Sequence, residues 1–453
     1  MALDSISPLD GRYLKDLKDL CLYGSESALI RYRVEVEIRW LLCMSQTDAI
    51  THVRAFTSEE TAYLNGLMED FGEEDAARVK EIESTTRHDV KAVEYYVKEK
   101  LQETSLADII ESIHFGCTSE DINNLSHAMM LRDSITKVWL PTAKQLIADV
   151  TAVANENRDA TMLAHTHGQP ATPTVMGKEL AVFVHRWNRQ LRQIESQEFL
   201  GKFNGATGCY NSYAIAYPDA DWDSIARGFV ESMGLTFNPL TTQIESHDYI
   251  AETFHAIARF NNIITLDFDR DAWTYISMGY FKQKVVKTEV GSSIMPHKVN
   301  PIDFENSEAN LGLSNSVLDH LSTKLAVSRL QRDLSDSSAL RNIGVGIGYA
   351  TLALKSAIRG VSRISVDQSA LAADLDDSWE VLAEAVQTVM RKNQVDNPYE
   401  TLKHLTRGES ITESDIRNLV ESLDIDASDK ERLLALTPNG YIGRAKELMD
   451  LIG

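Results

Sequence analysis

The chain has 453 residues, 43% of them hydrophobic and 25% charged, and its formal net charge is −22. This length exceeds one ordinary hydrophobic core and predicts two or three domains. The negative charge argues against nucleic acid or an anionic membrane as a partner, because both require a basic surface. The four cysteines form no CxxC pair, which is typical of reduced thiols. Since neither a secretory signal nor a membrane-spanning apolar run is visible, we expect a soluble, cytoplasmic protein.

Helical periodicity dominates the middle of the chain. Across residues 176–199, apolar residues recur at spacings of four, three, four, four and three, which is the pattern of a helix with one buried face. Similar patterns cover residues 142–153, 249–278 and 311–330. No run of alternating strand residues competes with them. The sequence therefore predicts an all-α fold.

Three helical domains are predicted. The N-terminal domain covers residues 1–110, and a central bundle of long helices covers residues 111–361. Beyond that point, residues 365–368 and 410–413 have the pattern of capping boxes that begin shorter, more acidic helices. A small C-terminal domain is therefore predicted for residues 362–453.

Residues 291–301 read GSSIMPHKVNP and place two hydroxyls, a lysine and an amide close together. Pro296 and Pro301 remove backbone donors and favour extended geometry in the residues before them. The segment is therefore predicted to be an exposed loop between helices, where functional residues are common.

Residues 166–170 read THGQP, which predicts that His167 lies on a turn ahead of the long helix at 176–199. An imidazole there can exchange a proton near neutral pH. A surface histidine, or a metal pair formed with His165, is the alternative reading.

Three further stretches combine charged and polar residues. Residues 84–94, within an amphipathic pattern at 75–98, are predicted to be helical, so His88 and Lys91 could instead form a salt-bridge face. Residues 118–121 read TSED and could be a helix cap. Residues 328–341 read SRLQRDLSDSSALR, which could be an exposed charged helix. Arg332 and Arg341 lie nine residues apart in this stretch and would point opposite ways on a straight helix, so their convergence on one ligand requires a helix break near 333–335.

Together these motifs resemble the adenylosuccinate lyases of the fumarase/aspartase superfamily, whose signature is GSSxMPxKxN. Residues 113–128, IHFGCTSEDINNLSHA, resemble the longer bacterial form. The resemblance runs from residues 7–13 through 241–245 to about residue 341. Arg87 departs from it, since that bacterial form tends to have asparagine there.

The resemblance implies β-elimination of fumarate from adenylosuccinate, giving AMP, and from the succinyl-carboxamide imidazole ribotide SAICAR, giving AICAR. It implies that Ser292 is the general base, although Ser293 competes for this role on sequence alone. It implies that His167 is the general acid and that Glu305 pairs with it. The catalytic residues implied are Ser292, His167, Lys298, Glu305 and His88.

The resemblance also implies a set of residues that bind the nucleotide substrate. They are Arg12, Tyr13, Arg87, Asp89, Thr118, Ser119, Gln243, Ser293, Met295, Asn300, Asn306, Arg332, Ser337 and Arg341. Of these, Arg332, Ser337 and Arg341 match a phosphate-binding segment. A homotetramer is implied whose central bundles merge and whose active sites are shared between subunits. No metal and no organic cofactor is implied.

Three other functions remain open at the level of sequence. The chain could be another fumarate-releasing lyase, such as an argininosuccinate lyase, whose substrate lacks a phosphate. It could be a helical structural protein without turnover. It could also be a metal-dependent hydrolase built on His165 and His167.

Overall fold

The computed structural model describes residues 4–284, 295, 298–400, 402 and 411–452, with the backbone alone at 259–261. These residues are mostly helical, and the strands among them form three two-stranded sheets. The predicted all-α fold is confirmed. None of the described helices combines the length and apolar character needed to cross a bilayer.

The helices of the first part of the chain are α1 (Leu14–Gly24), α2 (Glu26–Ser45), α3 (Ser58–Glu69), α4 (Glu73–Thr86), α5 (Asp89–Leu101), α6 (Ser119–Ser134) and α7 (Leu140–Glu156). Those of the middle are α8 (Met176–Glu195), α9 (Asn211–Ala216), α10 (Trp222–Ser232), α11 (Asp248–His255), α12 (Ile263–Ser277) and α13 (Ile302–Leu325). The last are α14 (Ser335–Leu340), α15 (Ile343–Ser362), α16 (Gln368–Asp376), α17 (Ala383–Lys392), α18 (Glu413–Ser422), α19 (Ala427–Ala435) and α20 (Ala445–Leu448).

The strands are β1 (Thr161–Thr166), β2 (Gln169–Val175), β3 (Leu200–Gly201), β4 (Thr236–Phe237), β5 (Phe281–Gln283) and β6 (Ile364–Val366). β1 pairs antiparallel with β2, β3 parallel with β4, and β5 antiparallel with β6. Segments of π-helix cover Ile135–Trp139 and Ala256–Asn262, and 3₁₀ segments cover Ala107–Ser112, Trp379–Leu382, Pro438–Gly440 and Met449–Ile452.

The chain divides into two compact units, each built from separate stretches of sequence. The first unit contains Met1–Ala143, Gln190–Ile263 and Ala309–Lys355. The second unit contains Lys144–Arg189, Ile264–Glu308 and Ser356–Gly453. The sequential domain boundaries predicted near residues 110 and 361 stay predictions.

Helix α2 forms the centre of the first unit and packs against α5 and α6. Its Trp40 is fully buried, with ring centroids 4.6 Å from Phe203 and 5.2 Å from Phe229. The Trp40 indole Nε1 donates to the carbonyl of Phe115 at 3.0 Å. This contact fixes the turn that leads into α6. The predicted binding residues Thr118 and Ser119 lie at the start of that helix.

The prediction of one helix across residues 75–98 is wrong. Helix α4 ends at Thr86, and Arg87 has a left-handed φ of 53°. His88 then caps α5, its Nδ1 accepting from the backbone N–H of Lys91 at 3.2 Å. The cap satisfies a donor that the first turn of α5 would otherwise leave unpaired.

In the second unit, β1 and β2 form a hairpin, with β1 packed against α16. His167 and Gly168 make its two-residue turn, and both have positive φ, at 55° and 73°, as tight hairpin turns require. The turn at His167 was predicted, whereas the strands were missed. Their alternating pattern is broken by a register shift between Met162 and Ala164 and by Pro170.

The helix predicted at residues 176–199 is confirmed as α8. All six of its periodic apolar residues are buried: Met176, Leu180, Phe183, Trp187, Leu191 and Ile194. Within the second unit, the Trp187 indole donates to Thr265 Oγ1 at 3.1 Å. The Trp187 and Phe268 ring centroids lie 5.3 Å apart.

Gly344→Ala should destabilise the first unit. A Cβ on Gly344, in α15, would lie 2.2 Å from the backbone oxygen of Gly24 at the end of α1. We expect the free energy of unfolding to fall by about 1–3 kcal/mol, the usual effect of overpacking. The matched control is Gly312→Ala in α13, where a Cβ has no neighbour within 4 Å. It should stabilise by up to about 1 kcal/mol. Urea unfolding measures both, and equal effects would contradict the close approach.

Candidate functional site

A cavity of about 410 Å³ in the first unit contains two of the predicted substrate-binding residues. It is lined by Ala206, Thr207, Gln243, Leu330, Gln331, Arg332, Asp333 and Leu334. Arg332 Nη1 donates to Gln243 Oε1 at 3.2 Å, and Gln243 Nε2 donates to the carbonyl of Ala206 at 3.0 Å. The structure thus joins Gln243 and Arg332 at one cavity wall.

The other end of the Arg332 guanidinium lies against buried carboxylates. Its Nη2 is 3.1 Å from Glu120 Oε2 and 3.6 Å from Asp336 Oδ1. Asp336 Oδ2 lies 3.7 Å from Nε2 of the buried His247. Candidate ligand atoms of Glu120, His247 and Asp336 lie within 4.8 Å of one another, so the group also has the composition of a metal site. We call Glu120, His247 and Asp336 the buried triad.

Burial and neighbouring charges shift the pKa values of the buried triad in opposite directions. Burial raises the pKa of Glu120 to about 7 against the attraction of Arg332. Burial disfavours the charged imidazole of His247, but contact with Asp336 and the charges of Glu120 and Glu245 outweigh it and raise its pKa. Burial also raises the pKa of Asp336, but His247 and Arg332 outweigh it, so that pKa lies below its usual value.

The helix break that the phosphate interpretation requires near residues 333–335 is present. Helix α14 begins at Ser335, so Arg332 precedes it and Arg341 follows its last residue. Ser337 lies within α14, and its backbone N–H donates to Asp336 Oδ1 at 2.8 Å. Arg332 and Arg341 therefore do not lie on one straight helix, on which their side chains would point in opposite directions.

Arg341 joins a second group of predicted residues. Its Nη2 donates to Asp89 Oδ2 at 2.9 Å, and its Nη1 donates to Glu26 at 2.6 Å. The buried Arg33 also donates to Asp89 Oδ2, at 2.7 Å. Burial raises the pKa of Asp89, but Arg33 and Arg341 outweigh it and hold that pKa below its usual value. His88, next to Asp89, is exposed.

Two predicted residues lie near the start of the chain. The Arg12 guanidinium lies 5.8 Å from the ring centroid of Tyr13. A separate cavity of about 300 Å³ is lined in part by Asp10, Glu26 and Arg341. This cavity includes Arg341 but neither of those two residues.

Thr118 and Ser119 stand at the beginning of α6, which Asp121 holds in place. Asp121 Oδ2 accepts from the backbone N–H of Thr118 at 2.9 Å. Asp121 Oδ1 lies 2.8 Å from Lys202 Nζ, and both side chains are fully buried. It also accepts from the backbone N–H of Asn204 at 3.1 Å. The buried ion pair therefore fixes the N-terminus of α6 to the strand β3 region.

His167 is exposed at the tip of the β1–β2 hairpin. A non-glycine residue with positive φ is uncommon, and such conformations concentrate at functional positions. Its ring makes no hydrogen bond or ion pair with any other described residue. The hairpin thus presents an exposed histidine at its turn.

The signature segment is described only in part. Ser292 and Ser293 lie outside the described residues. Lys298 is exposed, and its backbone N–H donates to the carbonyl of Met295 at 3.0 Å. Gln283 Nε2 donates to the backbone carbonyl next to Lys298, that of Val299, at 2.8 Å. Asn300 follows directly and is partly buried.

Glu305 and Asn306 lie in the first turns of α13. The Trp273 indole donates to Glu305 Oε1 at 3.2 Å. Ser356 Oγ donates to Asn306 Oδ1 at 2.7 Å. The pairing of Glu305 with His167 stays a prediction.

Sequence reasoning missed the side chains that hold the predicted residues in place. They are Arg33, Glu120, Asp121, Lys202, His247 and Asp336. Glu120 and Asp336 stand inside motifs that were recognised, so their nearness to binding residues was visible. Arg33 is one of several charged residues that alternate with apolar ones in α2, so the sequence does not single it out. Nothing in the local sequence marks His247 or Lys202.

Comparison with known proteins decides the family. A family profile described as lyase matches residues 14–315, and one described as adenylosuccinate lyase C-terminal matches residues 328–442. The chain is 52% identical over 449 residues to adenylosuccinate lyase of Haemophilus influenzae, covering 99% of this chain and 98% of that protein. The adenylosuccinate lyase of Escherichia coli strain K12 is 52% identical over 450 residues, with the same coverage. The chain belongs to the adenylosuccinate lyase family.

As a member of the adenylosuccinate lyase family, the chain is a lyase. The crystal structure of a fumarate lyase from Mesorhizobium sp. BNC1 has a similar fold, with a TM-score of 0.76 at 18% identity. The match covers 96% of this chain and 97% of that one. At this identity the likeness concerns the fold alone.

Lys202→Met should strongly destabilise the protein, because it leaves the fully buried Asp121 carboxylate without its cation. The expected loss in the free energy of unfolding is about 3–5 kcal/mol. Lys137→Met is the matched control, since Lys137 pairs with Asp133 at 3.0 Å but its side chain is 52% exposed. That loss should stay below about 1 kcal/mol. Urea denaturation compares the two, and similar losses would refute the role of the buried pair.

Proposed function

We propose that this chain cleaves adenylosuccinate to AMP and fumarate, and SAICAR to AICAR and fumarate. The observation that carries the proposal is the 52% identity to adenylosuccinate lyases over 99% of the chain. A function in purine nucleotide biosynthesis, in the cytoplasm and without a metal or organic cofactor, is part of the same proposal.

The substrate phosphate would be bound by Arg332, Ser337 and Arg341. Support comes from Arg332, which lies on the wall of the 410 Å³ cavity beside Gln243. A guanidinium suits a phosphate because it offers several donors in a fixed plane. The net charge of −22 makes such a local cationic group necessary for an anionic substrate.

The elimination would begin with Ser292 removing a proton from the succinyl carbon beside a carboxylate. The electron pair moves into that carboxylate and makes an aci-carboxylate with two negative charges. Lys298 and Asn300 are chemically suited to stabilise this charge. The exposure of Lys298 leaves its ammonium accessible to a substrate.

The electron pair then returns to form the double bond of fumarate as the C–N bond breaks. His167 would donate the proton that the leaving nitrogen requires, which an imidazolium does well near neutral pH. Its exposed position at a hairpin tip supports this role, and Glu305 would orient it. The remaining residues proposed for substrate contact are those that the sequence motifs supply, including His88 and Asp89.

The runner-up is another fumarate-releasing lyase, such as one acting on argininosuccinate. That substrate has no phosphate, so Arg332 and Arg341 would have no anion of this kind to bind. The proposed assembly is a homotetramer whose central helical bundles merge and whose active sites combine residues of several subunits. The three sequential helical domains belong to this proposal.

Incubation with adenylosuccinate and with SAICAR should give a loss of succinyl-nucleotide absorbance in the ultraviolet, whereas argininosuccinate should not be consumed.

His167→Gln should lower kcat about a hundredfold to ten-thousandfold, the usual contribution of a general acid. His165→Gln is the matched control, because it changes a second exposed histidine of the same hairpin and should leave kcat within about twofold of the wild type. Equal losses, or activity removed by a chelator, would favour the metal reading.

Shared active sites make a separate prediction. A mixture of inactive His167→Gln and inactive Ser292→Ala proteins should regain part of the wild-type activity after subunit exchange. Each mixed assembly would then contain some sites with both functional groups intact. Fluorescence energy transfer between labelled subunits confirms exchange, and no recovery after proven exchange would contradict sharing.

A further inference from the structure

Arg332 is almost buried, with 13% of its side chain exposed, and its two terminal nitrogens meet different environments. Nη2 faces the carboxylates of Glu120 and Asp336, at 3.1 and 3.6 Å. Nη1 donates to the neutral amide of Gln243, on the cavity wall. The guanidinium is therefore held on its buried side by charge and presented to the cavity on the other.

The buried triad contains polar atoms that the described residues leave unpaired. Among the described residues, both carboxylate oxygens of Glu120 and both ring nitrogens of His247 lack a hydrogen-bond partner although they are inaccessible to water. Unpaired buried polar groups are costly and are retained where they serve a function. Among the described residues, Glu120 forms an ion pair with Arg332, and His247 lies beside Asp336, which is itself 3.6 Å from Arg332 Nη2.

The geometry points to Glu120, with Asp336 and His247 behind it, as a positioning residue that orients Arg332 toward the substrate phosphate. This inference rests on the proposed function, since it names the residues behind its phosphate contact. Glu120 fixes Nη2 on the buried side, so the phosphate can approach from the cavity without displacing it. The raised pKa of His247 favours the imidazolium, which balances the second carboxylate of the cluster.

A divalent cation is the competing occupant of the same three side chains. The geometry favours the arginine, because its guanidinium already lies beside both carboxylates and would repel a second cation there. The experiment below separates the two readings.

At about pH 8, above the Glu120 pKa of about 7, Glu120→Gln keeps the shape of the side chain and removes its charge. We expect KM for adenylosuccinate to rise about tenfold or more, equivalent to one lost charge-assisted hydrogen bond, with kcat within about twofold. KM for the dephosphorylated nucleoside of adenylosuccinate should not change. If Glu120 had a merely structural role, the substitution would raise KM for both substrates alike.

Glu60→Gln is the matched control. Glu60 is also buried in the first unit and pairs with an arginine, Arg54, at 2.7 Å, and its hydrogen bonds within the described part of the chain are with Arg54, Thr57 and Ser105. It should leave KM for both substrates unchanged. AMP binding, measured by calorimetry on the wild type and both variants, tests the phosphate contact without turnover.

The outcomes separate this inference from the proposed function. If the wild-type protein does not consume adenylosuccinate, the proposed function is refuted. If Glu120→Gln then binds AMP more weakly while Glu60→Gln does not, the positioning of Arg332 by Glu120 is still supported. A Glu120→Gln variant that binds AMP as well as or better than the wild type overturns the inference. So does a rise in melting temperature with Zn²⁺ that this substitution abolishes, because it would place a metal where Arg332 lies.

Discussion

Removal of charges from water is the constraint on which the first unit depends. A buried ion is tolerated only where an opposite charge or several hydrogen bonds replace its hydration. The buried or largely buried charges that meet this condition include Lys202 with Asp121, Arg33 with Asp89, and Arg332 with Glu120. Each pair joins segments distant in sequence, and the contact of Arg332 with Glu120 joins two of the predicted binding motifs.

The second unit places its proposed catalytic histidine by backbone geometry instead. His167 and Gly168 share a left-handed turn, which holds the imidazole at an exposed tip. The hairpin below it packs on α16 through β1. Charge pairing thus holds the side chains proposed to bind phosphate, whereas strand pairing presents the proposed acid. Charge pairing suits a binding group, which must be held in one orientation. A hairpin turn suits a proton donor, which must remain accessible to the substrate.

Prediction from sequence succeeded where the signal was local or came from whole motifs. The apolar spacing of 176–199 is repeated by the buried face of α8, because helical period alone decides which side chains share a face. It failed at Arg87, where a left-handed residue ends α4 inside a continuous amphipathic pattern. It also failed at residues 365–368, where Asp367 caps α16 and the expected first cap lies in β6. Periodicity does not report a break of one residue.

The sequence by itself determined the helical class, the adenylosuccinate lyase resemblance and the residue types available for chemistry, because these follow from local periodicity and ordered motifs. Only the tertiary structure decided which charges meet. Glu120 and Arg332 are separated by more than two hundred residues, and their contact depends on how α6 and the segment before α14 pack. Which of the many carboxylates pairs with Arg332 depends on three-dimensional packing and burial, and no local sequence pattern encodes it.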